Sequence, residues 1–146
     1  MLRVRPAEPG DADALARLCT QLGYPAQPTD MPTRIERLAS DANARALVAV
    51  DNTGVVGLIT THVRYTMNHA APLAQITLLV VDESRRGSGI GRVLVDAAEM
   101  WARECGCKRI VVTTALQRSD AHKFYERLDY AHTGRRYGKD FVPGGH

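Results

Sequence analysis

The run QITLLVV, residues 75–81, is almost unbroken apolar sequence. Continuous apolar strands belong to the middle of sheets covered on both faces. The run leads into VVDESRRGSGIGR, residues 80–92, which holds three glycines. From Ile90 the apolar residues fall at Ile90, Val93, Leu94, Ala97, Trp101 and Cys105. That spacing is helical, and Gly106 supplies the stop. KRIVVTTA, residues 108–115, then reads as another buried strand. Residues 79–112 therefore read as strand, glycine turn, helix and strand. This crossover is expected to be right-handed with parallel strands, so the fold class is α/β.

The remaining segments add antiparallel strands and helices. LRVRPAEP alternates and then meets proline, which predicts a first strand over 2–5. GDADALARLCTQLGY predicts a helix with Asp11 or Asp13 as its cap, Leu15, Leu18 and Leu22 on its apolar stripe, and Gly23 at its end. A second helix is expected over 31–40, entered through a proline-rich loop suited to forming a substrate wall. ARALVAV, DNTG and VVGLITTHVRY read as a hairpin. RSDAHKFYERLDY reads as a short helix capped by Ser119 or Asp120, and the tail with Gly134 and Gly138 is expected to end as a strand. Residues 1–146 are expected to form a single domain, since 146 residues is an ordinary domain length.

The formal net charge is only +3, far from the footprint of a nucleic-acid binder. No apolar stretch reaches membrane-spanning length, so no membrane partner is expected. The three cysteines are odd in number, and the five histidines form no ligand cluster with them. That pattern suits a reducing cytoplasm, with no disulfide framework and no metal.

Three phosphate-binding patterns compete for the glycine turn. A Walker loop needs a lysine that this stretch lacks. A Rossmann fingerprint starting at Gly87 or Gly89 would place its third glycine on Arg92 or Leu94. R-x-x-G-x-G is met by Arg86, Gly89 and Gly91. Small residues at Gly87, Ser88, Gly89 and Gly91 let backbone N–H groups approach a diphosphate, and the following helix aims its positive end there.

LLVVDESRRGSGIGRVLVDAAEMWARECG resembles the acyl-CoA-binding motif of the GNAT superfamily of N-acetyltransferases, and RSDAHKFYERLDY resembles that family's next motif, a helix carrying a Phe-Tyr pair. The resemblance implies a GNAT-like mixed central sheet of six to seven strands, splayed at the central strands and flanked by about four helices. It implies acetyl-CoA as cosubstrate. Leu79, Val80 and Val81 would then pair with its pantetheine arm. Arg86, Gly87, Ser88, Gly89, Ile90, Gly91 and Arg92 would hold its pyrophosphate. Arg118 stands where many relatives have an asparagine that touches the arm.

The resemblance also implies Tyr125 as the general acid that protonates the departing thiolate. Phe124, Ala121 and Leu128 share one helical face and are expected in the core, with Tyr125 on a neighbouring face. Many relatives carry a glutamate where this chain has Gln75, which cannot act as a base but can hold a water. Base candidates are His62, Glu83 and His122, since imidazole and carboxylate are common proton acceptors. The expected reaction is acetyl transfer to a primary amine of a small molecule by direct attack in a ternary complex. The alternatives are an acyl-CoA-binding regulatory module without turnover, or transfer to a protein or peptide amine. Arg135 and Arg136 are candidates to face an anionic acceptor. A homodimer is expected, formed through the apolar tail.

Overall fold

A computed structural model describes residues 1–113, 119–134 and 137–142, the side chain of Ser119 excepted. The chain divides into two compact units, Met1–Val112 and Thr113–His146.

The first unit is an α/β structure built on one mixed sheet. Strands β1 (Arg3–Pro6), β2 (Ala44–Asp51), β3 (Gly54–Arg64), β4 (Leu73–Val81) and β5 (Arg109–Val112) lie side by side in chain order. The first three pairings are antiparallel, and β4 with β5 is parallel. The expectation of six to seven strands is corrected: the described residues form five. The expected tail strand accounts for part of the difference. Residues 131–134 and 137–142 pair with no ladder, while Arg135 and Arg136 lie outside the described residues. A stretch of apolar residues becomes a strand only where a neighbouring edge accepts its hydrogen bonds.

Helices α1 (Ala12–Leu22) and α2 (Met31–Ala39) cover one face of the sheet. Leu15, Leu18, Met31 and Ile35 pack there against Val48, Leu58 and Val80. Helix α3 (Ile90–Glu104) covers the other face, where Trp101 and Ala102 meet Val63, Ala74 and Cys107. Its buried residues are Ile90, Leu94, Val95, Ala98, Trp101 and Ala102. Val93 is exposed, because the true stripe follows i, i+4 and i+8 and leaves it on the flank. Each fully buried aliphatic such as Leu18, Ile59 or Leu94 stabilises the unit by about 1.5–3 kcal/mol. No described helix is long and apolar enough to cross a membrane.

Glycine decides how closely α3 approaches. A Cβ on Gly57 would lie 2.9 Å from Leu94 Cδ1 and 3.2 Å from Ile90 Cγ2. Helix α1 ends as expected at Gly23, with φ of 105°, and Gly106 after α3 has φ of 87°. Its start differs from expectation. Asp11 occupies the cap position, but its carboxylate makes no cap bond to the helix. It instead accepts from Arg5 Nη1 and Nη2 at 2.9 and 2.8 Å and from the Glu8 amide at 2.8 Å. A bidentate guanidinium outcompetes a single helix amide, and it ties β1 to the start of α1.

In the second unit, helix α4 (Ser119–Arg127) begins at Ser119, so Ser119 and Asp120 lie inside it rather than before it. The helix closes through Asp129, whose φ is 68°, with the Tyr130 amide donating to the Tyr125 carbonyl at 3.0 Å. That six-to-one bond is a Schellman ending.

Gly57→Ala is expected to lower unfolding free energy by about 1–3 kcal/mol, since Leu94 is already fully buried and must shift. Chemical denaturation of the two proteins checks this. Acid is expected to weaken the fold through Asp51 and Asp11. Bonds from Thr53 lead the effects that hold Asp51 at about 2, and the Arg5 pairing leads those that lower Asp11. Both groups are depressed, so their contribution is complete above the ordinary carboxylate value of about 3.9 and is lost as pH falls through the folded values. Thermal melts are expected to be flat above about pH 5 and to decline between about pH 4 and 2, with a shallower decline in Asp11→Asn.

Candidate active site

The β4 strand loses one neighbour halfway along. Among the described residues, strand β5 pairs with Leu73, Ala74, Gln75 and Ile76 and with no later residue of β4. The register with β3 shifts at the same place: Thr61 pairs with Ile76 and Thr60 with Leu78, so Thr77 is an extra residue in β4. This bulge is held by two contacts. The Thr60 and Thr77 hydroxyls lie 2.6 Å apart, and Thr77 Oγ1 donates to the Thr60 carbonyl at 3.2 Å. A bulge bends its strand and increases local twist, which turns β4 away from β5. Farther along, the Asp82 amide donates to the Val56 carbonyl at 2.8 Å. Alternation then directs the N–H and C=O of Val80 toward β3 and those of Leu79 and Val81 toward the side that β5 has left. Of the three residues expected to offer backbone groups, Leu79 and Val81 direct theirs to that side and Val80 directs its own toward β3.

The glycine turn follows directly. Asp82 accepts from the Ser84 amide at 3.0 Å and the Ser84 hydroxyl at 2.7 Å, closing a single 3-10 turn over Glu83–Arg85. Four side chains from outside this turn brace it: Asp51, Thr53, Arg17 and Gln21. Arg85 Nε reaches Asp51 at 3.0 Å and its Nη2 reaches Thr53 Oγ1 at 3.0 Å. Arg17 pairs with Asp82 at 3.4 Å, and Gln21 Oε1 accepts from the Glu83 amide at 3.0 Å. The backbone then passes through left-handed glycines, Gly87 at φ 80° and Gly89 at φ 87°, with open space where either Cβ would stand. Only glycine takes these conformations without strain.

Helix α3 begins at Ile90, so the amides of its first turn have no acceptor within the helix. Arg86 and Arg92, on either side of the helix start in sequence, are exposed, while Ile90 is buried in the core. The Ser88 hydroxyl donates to the Arg85 carbonyl, so that side chain serves the turn. Backbone amides, a helix start and two arginines make a cradle of the kind that suits a diphosphate.

A strip of polar side chains lies on the α1/α2 face of the sheet, beside the bulge. It comprises Thr60, His62 and Arg64 of β3 with Gln75 and Thr77 of β4. His62 stands directly opposite Gln75, and Arg64 Nη1 donates to Gln75 Oε1. His62 Nδ1 is buried without a hydrogen-bond partner among the described residues. The sequence pointed to His62 and Gln75 but not to Arg64, Thr60 or Thr77. The signal for the threonines was their separation, which only strand register converts into a contact.

The other candidates fall elsewhere. Glu83 is exposed on the 3-10 turn. Arg118 lies outside the described residues. His122 and Tyr125 lie on α4 in the second unit. Tyr125 is the buried residue of that helix, whereas Ala121, Phe124 and Leu128 are half-buried, which corrects the expected core face. Its ring meets Phe124 and Tyr130 edge-on at 5.1 and 5.4 Å, aromatic pairing that favours this rotamer. Burial pushes the Tyr125 phenol well above the usual tyrosine range, so it carries its proton at neutral pH. A concavity of about 220 Å³ between His69–Leu73 and Lys108–Arg109 lies at the opposite end of β4, where open α/β sheets do not place their ligands.

Comparisons with known proteins agree with this geometry. The model of the acetyltransferase (GNAT) family matches residues 12–130. An aminoalkylphosphonate N-acetyltransferase of Salmonella typhimurium is 36% identical over 99 residues, spanning 68% of this chain and 64% of that protein. An aminoglycoside N(6')-acetyltransferase of Stenotrophomonas maltophilia is 26% identical, spanning 90% of this chain and 88% of its own. Among solved structures, an aminoglycoside antibiotic 6'-N-acetyltransferase from Acinetobacter baumannii shares the fold at a TM-score of 0.82 and 22% identity, covering 97% of this chain and 99% of its own. A splayed central strand that runs through a glycine cradle into a helix, matched across most of the sequence, places this chain in the acetyltransferase (GNAT) family.

Proposed function

We propose that the chain is an acetyl-CoA-dependent N-acetyltransferase acting on a primary amine of a small molecule, with residues 1–146 working as one domain. The observation that carries this reading is the continuity of the unpaired β4 edge with the braced glycine cradle. An extended pantetheine arm needs strand-like backbone partners, and a pyrophosphate needs clustered amides. Leu79 and Val81 would hold the arm, and Gly87 to Arg92 with Arg86 would hold the phosphates. Acetyl-CoA supplies the thioester acetyl group. The single-domain reading is supported by the family match, which runs without a break through both compact units.

The acceptor amine must be neutral to attack, so a group on the acceptor side must take its proton. His62 is the candidate the geometry favours, because it lies on the polar strip beside the bulge. Glu83 is bound by its own backbone to α1 and serves the cradle end. Gln75 cannot take a proton, and its carbonyl is occupied by Arg64. Tyr125 is proposed as the donor to the departing thiolate. The motif on α4 implies this role, and the phenol is protonated at neutral pH. A cytoplasmic setting accords with three free cysteines. A homodimer would cover Tyr137, Phe141 and Val142, which are exposed in the tail. Sedimentation velocity showing a monomer would remove that last element.

Calorimetry is expected to show CoA and acetyl-CoA binding and no NAD binding; an absence of both CoA species sinks the proposal. Gly89→Ala is expected to weaken CoA on the order of tenfold, because a left-handed alanine costs about 1–2 kcal/mol that the cradle recovers by relaxing out of shape. Tyr125→Phe is expected to lower kcat by about 10²–10⁴-fold in a thiol-release assay, the usual contribution of a general acid. Unchanged turnover would remove Tyr125 from the mechanism.

A further inference from the structure

The polar strip beside the bulge carries a net positive charge. Arg64 is exposed, and its guanidinium is fixed by Gln75, a neutral partner. A carboxylate at position 75 would cancel that charge, whereas a glutamine orients it and leaves it whole. The surrounding sequence supplies no other compensation: residues 52–81, which include all of β3 and β4, contain no aspartate or glutamate. Two carboxylates on the segments flanking this face have local backbone partners. Asp30 accepts from the Gln27 amide at 2.9 Å, and Asp41 accepts from the Asn43 amide at 2.9 Å. On α2, Glu36 is exposed, and Arg34 adds a further cation whose field reaches the Cys19 thiol.

Hydroxyl groups complete the strip. Thr60 and Thr77 share a hydrogen bond at the bulge, and His62 lies between them and Arg64 along the same face of β3. A guanidinium, an imidazole and hydroxyl groups along one strand face form a donor-rich surface. Such a surface suits a phosphonate or carboxylate oxygen and repels a polycation. The residues lie within one compact unit, and the Thr60–Thr77 end of the strip adjoins the strand edge proposed for the thioester.

We infer that Arg64, oriented by Gln75, selects acceptor amines that carry an anionic head group, such as an aminoalkyl phosphonate or amino carboxylate, over polycationic amines. This inference rests on the acetyl-transfer reading above and narrows its acceptor. The amine of a short bifunctional molecule would stand near His62 and the bulge while its anion meets Arg64. The spacing along β3 favours this arrangement, because His62 and Arg64 are two residues apart on one strand face.

Initial rates of thiol release from acetyl-CoA test this with four amines: 2-aminoethylphosphonate, β-alanine, ethanolamine and spermidine. Ethanolamine matches the first two in its amine and lacks the anion. The expected kcat/KM for the two anionic amines exceeds that for ethanolamine by on the order of tenfold, the worth of one charge-assisted hydrogen bond, and spermidine is poorest. Arg64→Gln is expected to bring the ratio close to one through KM. Gln75→Glu is expected to lower it as well, by neutralising the guanidinium without removing it. Calorimetric CoA affinity of both variants reports that they are folded. Thiol release with no preference among the amines, or a preference that survives in Arg64→Gln, overturns this inference and leaves the acetyl-transfer reading standing. No thiol release with any amine and no CoA binding overturns both.

Discussion

Half of one strand edge carries most of the functional meaning of this molecule. Strand β4 has neighbours on both sides only as far as Ile76. Beyond it the peptide groups of Leu79 and Val81 that face away from β3 have no ladder partner among the described residues. Unpaired backbone in such a place is costly unless water or a ligand satisfies it. The bulge at Thr77 creates that condition, and the threonine pair stabilises the bulge. The helix packing on each face then holds the opened strand in place. Leu58 and Val80 anchor it to α1 and α2, and Gly57 lets α3 close against the opposite face.

Charge follows the same division. The cradle gathers backbone dipoles and arginines, which the proposed reading gives to a ligand with two phosphates. The strip on the α1/α2 face gathers an imidazole, a guanidinium and hydroxyl groups, which the same reading gives to the acceptor. One strand thus offers two kinds of group: its edge offers peptide groups, and its face offers side chains. Gln75 is neutral, so the face lacks the negative charge that a glutamate at that position would bring.

Much of this was legible in the sequence because it depended on local patterns. The apolar run at 75–81 announced a central strand, the glycine spacing announced the cradle, and Gly23 and Gly106 marked helix ends. What escaped was set by register. Nothing in the letters indicates that Thr60 and Thr77 meet, or that Arg64 reaches Gln75, because both pairs depend on which residues stand opposite across a hairpin. Asp11 escaped for a related reason, since a distant arginine claimed a side chain that local rules assign to a helix cap. Ser88 was read for its small size and its backbone amide, and nothing local indicated that its hydroxyl would close the turn. The sixth and seventh strands were an analogy with a family, and no ladder among the described residues supplies them.

The outside braces on the glycine turn have a thermodynamic consequence. Arg85 links it to the β2–β3 turn through Asp51 and Thr53, and Arg17 and Gln21 link it to α1. These bonds form when the chain folds, before any ligand arrives. The loss of conformational entropy needed to order the turn that leads into the glycines is therefore borne largely by folding and not by binding. A ligand held at this turn would lose less of its affinity to loop ordering than one held by an unbraced loop.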